Sequence, residues 1–564
     1  MPAHSDQQLS PAESAELIAE HFCMISQEYT PLSLAELPPV LQNDLMHAKS
    51  ENAEMLTSEQ VLAKIRKAKK PQSKVPGDLH PKLVKQFPDL LAEPVTIIFN
   101  QITFSAVYPE QWKIEHQIPI PKGDCPENED QLRNIAKTAF FSKVYESFLA
   151  EWLFKVIKPF FDPWQCGVKG LSTTHYLIKF LHFMHKNLDE KKPLAVLAAF
   201  IDLKKAFNRV EHSLVIQDLY DMHTPSWLLK ILFSYLSERS MFLNYNGAIS
   251  TQKHLPGGTP QGAILGGLIF MVKFNGVFLR PTIPRPMMKS NSVSVKFVDD
   301  GSVATSIDLK AALLLDPCQR PKPLTYNERT GHILPPEQNL LQILVKDTES
   351  FCTENKMVIN KLKTNCMLFN KSRNWTFPPE ILFNDGSALN IISETKLVGV
   401  ILSDDLKWQK NTDYICQKAR KKIWLLRRMK SLNLSTEQIV DVYQKEVRSI
   451  VEMAVPVWHS SLTKKQSAAI ERIQKVAFRI ILDSKYISYT HALRALGAQR
   501  LDHRREILCK KFALKNIKSE HSLFTPQSQS VSTRSKKQVQ EFKCNTERFA
   551  KSSLPYLAKL VNSC

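Results

Sequence analysis

Leu194-Ala-Val-Leu-Ala-Ala-Phe-Ile-Asp202 and Val293-Ser-Val-Lys-Phe-Val-Asp299-Asp300-Gly301-Ser302 decide how this chain reads. Each is a short apolar run that ends on carboxylate. Buried ionised carboxylates are costly unless a positive charge sits among them. Two strands that bring Asp202, Asp299 and Asp300 together would make an oxygen site for a hard divalent cation such as Mg²⁺. Paired metals about 3.5–4 Å apart, bridged by shared carboxylates, are a standard device for in-line phosphoryl transfer. The plainer reading is that Asp-Asp-Gly is a hairpin turn, because Asp and Gly accept positive φ, and that Asp202 is a helix cap.

The segment between the two runs tips the balance. Leu255-Pro-Gly-Gly-Thr-Pro-Gln-Gly-Ala-Ile-Leu-Gly-Gly-Leu-Ile-Phe270 is a Gly-rich turn that carries one amide, Gln261, and feeds an apolar helix. Glycines let a backbone approach a ligand closely. In this order of motifs the chain resembles the reverse transcriptase of non-LTR (LINE-type) retrotransposons, the polymerase part of the second open reading frame product. Phe200-Ile-Asp202-Leu-Lys-Lys-Ala-Phe207 resembles the first catalytic motif, Gly258-Thr-Pro-Gln-Gly262 the template-primer and nucleotide-positioning motif, and Phe297-Val-Asp-Asp300 the second catalytic motif. Pro109-Glu-Gln-Trp112-Lys113, Pro119-Ile-Pro-Lys122, Leu132-Arg133-Asn-Ile-Ala and Ser142-Lys-Val-Tyr-Glu146 resemble fingers segments. Gln165-Cys-Gly-Val-Lys-Gly-Leu-Ser172-Thr173 resembles the segment before the palm. Asn360-Lys-Leu-Lys363-Thr364 and Lys396-Leu-Val-Gly399-Val-Ile-Leu-Ser-Asp404 resemble its closing motifs.

The resemblance implies an α+β, right-hand polymerase fold: fingers, a palm with an antiparallel sheet, a helical thumb, and helical flanking regions. It implies that Asp202 and Asp299 bind both metal ions, with Asp300 as a weaker ligand. Mg²⁺ is the expected ion and Mn²⁺ its substitute. Phe207 is the expected steric gate against a ribose 2′-hydroxyl, Gln261 with Gly262 the group that positions template or incoming base, and Lys122 and Arg133 the triphosphate cations, where a planar guanidinium suits phosphate oxygens. Lys363 is the expected proton donor to leaving pyrophosphate. The chain departs from the family pattern at Asn208, Val298, Gly267 and Gln131-Leu132; Val298 reads as a strand residue.

Composition agrees. The chain has 564 residues, enough for several folding units at about 100–200 residues per domain, and 43% hydrophobic residues, enough for real cores. Net charge is +20 with a pI near 9.3, which points to a polyanionic partner. The expected partners are an RNA template, a DNA primer or target DNA, and dNTPs. An anionic membrane ranks lower, because the longest apolar run, Ala263 to Val272, is too short to span a bilayer. No secretory signal is visible. The 10 cysteines lack any Cys-x-x-Cys spacing and read as reduced thiols of an intracellular protein, and the expected location is cytoplasm and nucleus.

Along the chain, residues 1–99 read as a helical N-terminal region and basic linker, with capping boxes at Ser10-Pro-Ala-Glu13 and Thr57-Ser-Glu-Gln60 and a basic run from Lys64 to Lys74. Residues 100–410 read as fingers and palm, broken by Pro281-Thr-Ile-Pro-Arg-Pro286 and by a proline-rich loop over 316–336. Residues 411–520 read as a basic thumb. There Ile415, Ala419, Ile423, Leu426 and Met429 form an apolar stripe, and Lys418, Arg420, Lys421, Lys422, Arg427 and Arg428 a cationic face for the duplex phosphates. Ser435-Thr-Glu-Gln438 and Thr463-Lys-Lys-Gln466 start further helices. Residues 521–564 read as a tail with a loose Ser/Gln/Thr segment from Ser522 to Thr533. No nicking-endonuclease segment is recognised, so the chain is expected to be a fragment of a larger product or to depend on a separate nicking activity. The competing reading is a domesticated retroelement-derived RNA-binding protein without turnover. An RNA-dependent RNA polymerase is a third, which Phe207 disfavours.

Overall fold

The computed structural model describes residues 9–48, 53–68, 75–123, 126, 128–192, 194–278, 291–308, 340–371, 380–526 and 538–563. The basic run beyond 68, the Pro281–Pro286 break, the 316–336 loop and the tail from 527 to 533 lie outside them. In chain order the strands used below are β1 (Ile114–Pro121), β2 (Leu132–Lys137), β3 (Leu194–Ile201), β4 (Arg239–Tyr245), β5 (Ala248–Ile249), β6 (Lys253–Leu255), β7 (Ser292–Phe297), β8 (Asp300–Asp308), β9 (Asn365–Phe369) and β10 (Asn390–Ile391). Helices and strands are mixed, and the expected α+β class holds.

The chain folds as two compact units. One comprises residues 1–163, 203–280 and 348–360. Its sheet runs β2-β1-β4-β5, with β6 also on β4. The helix Pro11–Ser26 covers it: Ala15, Ile18, Ala19, Phe22 and Ile25 form one core with Leu132, Met241, Leu243 and Leu255. That helix starts where the sequence says, because Ser10 and Glu13 close a capping box. A fully buried ion pair lies beneath, Arg239 to Glu115 at 3.2 Å.

The other unit comprises residues 164–202, 281–347 and 361–564. Its sheet runs β10-β9-β3-β8-β7, with β3 central. Ala, Val, Leu, Phe and Ile fill β3, and Ala195 through Ile201 are buried, as a central strand covered on both faces requires. Val196, Ala198 and Phe200 pack in one cluster with Tyr176, Leu177, Phe180 and Met184 of the helix Thr173–Asp189. Downstream come the helices Gln409–Ser431 and Lys464–Leu482, which share that cluster. The capping boxes at Thr57, Ser435 and Thr463 all form. Among the described residues no helix is long and apolar enough to cross a membrane.

Candidate active site

Register brings the carboxylates to one end of the second unit's sheet. β3 and β8 run antiparallel with Ile201 opposite Gly301, so Asp202 and Asp300 end neighbouring strands side by side. β7 and β8 close their hairpin with Phe297 opposite Asp300. The turn is therefore Val298-Asp299, and Asp300 opens β8 rather than sitting in the loop. This corrects the reading of Val298 as a strand residue: its φ is +58°, left-handed backbone that a β-branched side chain tolerates poorly. With Asp300 and Gly301 both drawn into strand pairing, only Val298 and Asp299 remain to reverse the chain.

The hairpin tip is held from outside. Gln165, buried in the segment before the helix Thr173–Asp189, accepts the Val298 amide on its side-chain oxygen at 3.2 Å and the Gly167 amide at 2.9 Å. Backbone bonds run from Cys166 N–H to Lys296 O (2.6 Å) and from Lys296 N–H to Trp164 O (3.1 Å). Tyr176 and Ser302 share a buried hydroxyl contact. Gln165 is a site residue that sequence reasoning placed in a motif but gave no role; nothing local signals a contact to a residue at 298.

Asp202 donates its amide to Thr364 Oγ1 at 3.2 Å. β9 pairs β3 with Asn365 opposite Phe200; Lys363 lies in the turn just before β9. Lys363 is exposed. The Asp300 carboxyl is pushed up to about 6, first by the protein mass around it and then by the charges of Asp299 and Asp202. The residue is partly open to solvent, and like charge crowds it from two sides. Such crowding is what a divalent cation relieves. Among the described residues no three His, Cys, Asp or Glu side chains close a metal cage by themselves. Mg²⁺ rarely asks for one: it takes one or two carboxylates and completes its shell with water and substrate phosphate. The donor set fits that use.

The sequence-predicted nucleotide positions fall in the first unit. Gly258 has φ +88°, and a Cβ there would stand 3.1 Å from Asn208 Cα and 3.2 Å from Phe207 O. The loop is pinned to the turn at Phe207 by Gly258 N–H to Val210 O (2.8 Å) and Thr259 N–H to Phe207 O (2.7 Å). Buried His212 meets Gly258 O through Nε2 at 2.6 Å. At its other end Gln261 O accepts from Ala136 N–H at 2.9 Å, and Gly262, at φ +120°, lies where a Cβ would come 3.1 Å from Ala136 O. Ala136 belongs to β2, the strand that carries exposed Arg133 opposite Ile120. Lys122 ends the same hairpin, its Nζ donating to Asp130 O at 2.7 Å. Phe207 is half-buried, its ring stacked on Phe270 with centroids 5.0 Å apart.

Glu146 secures the helix that follows this loop. Its carboxylate, wholly buried, accepts the Ile264 and Leu265 amides at 2.9 and 3.2 Å and the Ser142 hydroxyl at 3.1 Å. Those amides open the helix Ile264–Asn275, where orphan N–H groups and the positive dipole end welcome an anion. Burial raises the Glu146 pKa, and the two backbone bonds with the Arg239 charge oppose that rise.

A basic surface lies on the second unit. The helix Gln409–Ser431 buries Ile415, Cys416, Ala419, Ile423 and Leu426 and exposes Lys418, Arg420, Lys421, Lys422, Arg427 and Arg428. Met429 is only half-buried. Lys422 pairs with Glu446 at 3.1 Å, and Trp424 stands 60% exposed amid the cations.

Residues 120–417 match the family described as reverse transcriptase (RNA-dependent DNA polymerase). That is more than half of the chain, and the protein belongs to this family, whose members share a polymerase fold. Its relatives narrow the kind. The chain is 24% identical over 480 residues to a probable RNA-directed DNA polymerase from transposon X-element of Drosophila melanogaster, covering 83% of this chain and 48% of that one. It is 26% identical over 211 residues to the RNA-directed DNA polymerase from mobile element jockey of the same fly, 36% of this chain and 23% of the other. To a putative 115 kDa protein in the type-1 retrotransposable element R1DM it is 20% identical over 513 residues, 89% and 44%. These likenesses agree with a LINE-type element as the source of the resemblance. The chain spans about half the length of the first of these relatives. All three aspartates, Lys122, Arg133, Phe207, Gln261, Gly262 and Lys363 fall inside the family match; Lys418 to Arg428 lie beyond its end.

Proposed function

We propose that this chain is an RNA-directed DNA polymerase that extends a DNA 3′ end on an RNA template by two-metal phosphoryl transfer. The observation that carries this is the antiparallel register of β3 and β8, which brings Asp202 and Asp300 to the same sheet end beside the Val298-Asp299 turn. Asp202 and Asp299 would hold the metals, with Asp300 in support. Mg²⁺ bound there, or Mn²⁺ in its place, would lower the pKa of the primer hydroxyl and neutralise charge on the leaving pyrophosphate. Lys363 protonates that leaving group. Lys122 and Arg133 bind the triphosphate, Gln261 and Gly262 position the base, and Phe207 excludes the ribose 2′-hydroxyl.

In this reading the right-hand arrangement divides as residues 1–99, an N-terminal helical region; 100–410, fingers and palm; 411–520, the thumb, whose exposed cations grip the duplex through its phosphates; and 521–564, a tail. The partners are RNA, a DNA primer or target DNA, and dNTPs, within the cytoplasm and nucleus. Primer extension on an RNA template with Mg²⁺ and dNTPs, beside a chain with Asp299→Ala and Asp300→Ala, tests it. Extension by the native chain alone is the expected result. Tight, salt-dependent RNA binding with no extension would instead identify a retroelement-derived RNA-binding protein.

A further inference from the structure

The turn that carries Phe207 is clamped on both sides by charges from other elements. Lys205, two residues before the ring, has left-handed φ of +48°, a conformation that costs a non-glycine residue energy and persists only where its surroundings hold it. They do: Lys205 Nζ lies 2.6 Å from the Asp130 carboxylate, in the connection between β1 and β2, and 2.6 Å from His21 Nε2 on the helix Pro11–Ser26. Arg209, two residues after the ring, makes a two-pronged pair with Glu28 just past that helix, at 2.6 and 3.0 Å. The Arg209 side chain is only 15% exposed.

Planar two-pronged pairs fix direction as well as distance. The Glu28 anchor follows a packed helix, although its own carboxylate and that of Asp130 face solvent. Residues 15–25 of the helix are locked into the sheet core through Ile18, Phe22 and Ile25, and the Tyr29 ring lies so close to Gly257 that a Cβ there would come within 2.5 Å. Phe207 sits in a three-residue 3₁₀ turn between these two pairs, its ring stacked on Phe270.

We propose that Glu28 and Asp130, acting through Arg209 and Lys205, are positioning residues that set how far the Phe207 ring projects and thereby the choice between deoxyribo- and ribonucleotides. This rests on the polymerase reading above. A ring that excludes a hydroxyl acts by close steric contact, so its effect depends on how far it projects.

The test is single-nucleotide incorporation by the full chain, comparing kcat/KM for a dNTP and the matching rNTP. Glu28→Ala and Arg209→Ala are each expected to lower the dNTP preference about tenfold, with dNTP turnover changed far less. The reversed pair, Glu28→Arg with Arg209→Glu, is expected to restore the preference to within about twofold, which a general loss of stability would not do. Unchanged preference in the single variants, or no recovery in the reversed pair, overturns the proposal. Amide hydrogen exchange at Asn208, Arg209 and Thr259 reads the clamp without catalysis. Exchange about tenfold faster in Glu28→Ala, recovering in the reversed pair, supports the clamp; unchanged exchange overturns it. Absence of any extension by the native chain counts against the polymerase reading alone.

Discussion

Val298 holds left-handed backbone at a hairpin tip, where a β-branched residue is strained by roughly 1–2 kcal/mol. Val298→Gly is therefore expected to raise stability by about 1 kcal/mol, part of the relief being offset by glycine's greater freedom when unfolded; urea denaturation measures it, and a loss of stability would refute the left-handed turn. Gly258 predicts the opposite sign. Gly258→Ala meets both a φ of +88° and a Cβ 3.1 Å from Asn208 backbone, and is expected to destabilise the chain by about 1–3 kcal/mol. Glu146→Ala leaves the Ile264 and Leu265 amides without their acceptor. The expected cost is about 3 kcal/mol, the range for breaking a buried charged partnership, with Glu146→Gln milder in the same melt. At this scale the sequence is legible where chemistry is local. Glycine-rich Gly258–Gly262 declares a backbone that something approaches closely, whereas Glu146 looks like any helix residue because its partners lie at 264 and 265.

Single elements were the most readable level. Ser10, Thr57, Ser435 and Thr463 each cap a helix through the residue three positions on, because a capping box needs only four consecutive residues. The stripe on Gln409–Ser431 follows its 3.6-residue period closely, with Cys416 added to it and Met429 at its half-buried rim, because tertiary packing rather than the period sets the edges. The six cations of that helix stand clear of its buried face, so replacing Lys421, Arg427 and Arg428 with Gln is expected to weaken template-primer binding. The slope of log K against log salt should shrink by about 0.7–0.9 for each phosphate that is no longer neutralised. A filter-binding salt titration reads this directly, and an unchanged slope would make the basic face a mere solubilising surface. Strand β3 was legible as buried from its unbroken apolar run. Its neighbours were not, because pairing with β8 and β9 depends on register across long separations.

The whole molecule buries several histidines in neutral form. Burial holds His185 down to about 3, and His212 and His175 to about 4, with nearby cations adding to the effect. Their ordinary value is near 6.5, so the unfolded chain takes up protons that the folded chain refuses. The stability they support is complete above about pH 6.5 and is lost as pH falls toward 4. At pH 5.5 each is expected to have cost about 1 kcal/mol relative to pH 7; thermal melts over that range should fall steadily, and a flat profile would deny the burial. What the sequence could not disclose at this scale is the interleaving of the two units, each drawn from three separated stretches of chain. The central strand β3 makes the consequence plain. Leu194–Ile201 leaves the ribosome long before Asp300–Asp308 and Asn365–Phe369 exist to flank it. During synthesis only the preceding helix Thr173–Asp189 is there to cover it, and both its edges stay open, a template on which other nascent chains stick. Yield of this protein in a foreign cell should then be governed by holdase supply and elongation speed while residues 202–369 are being made, more than by the equilibrium stability of the finished fold.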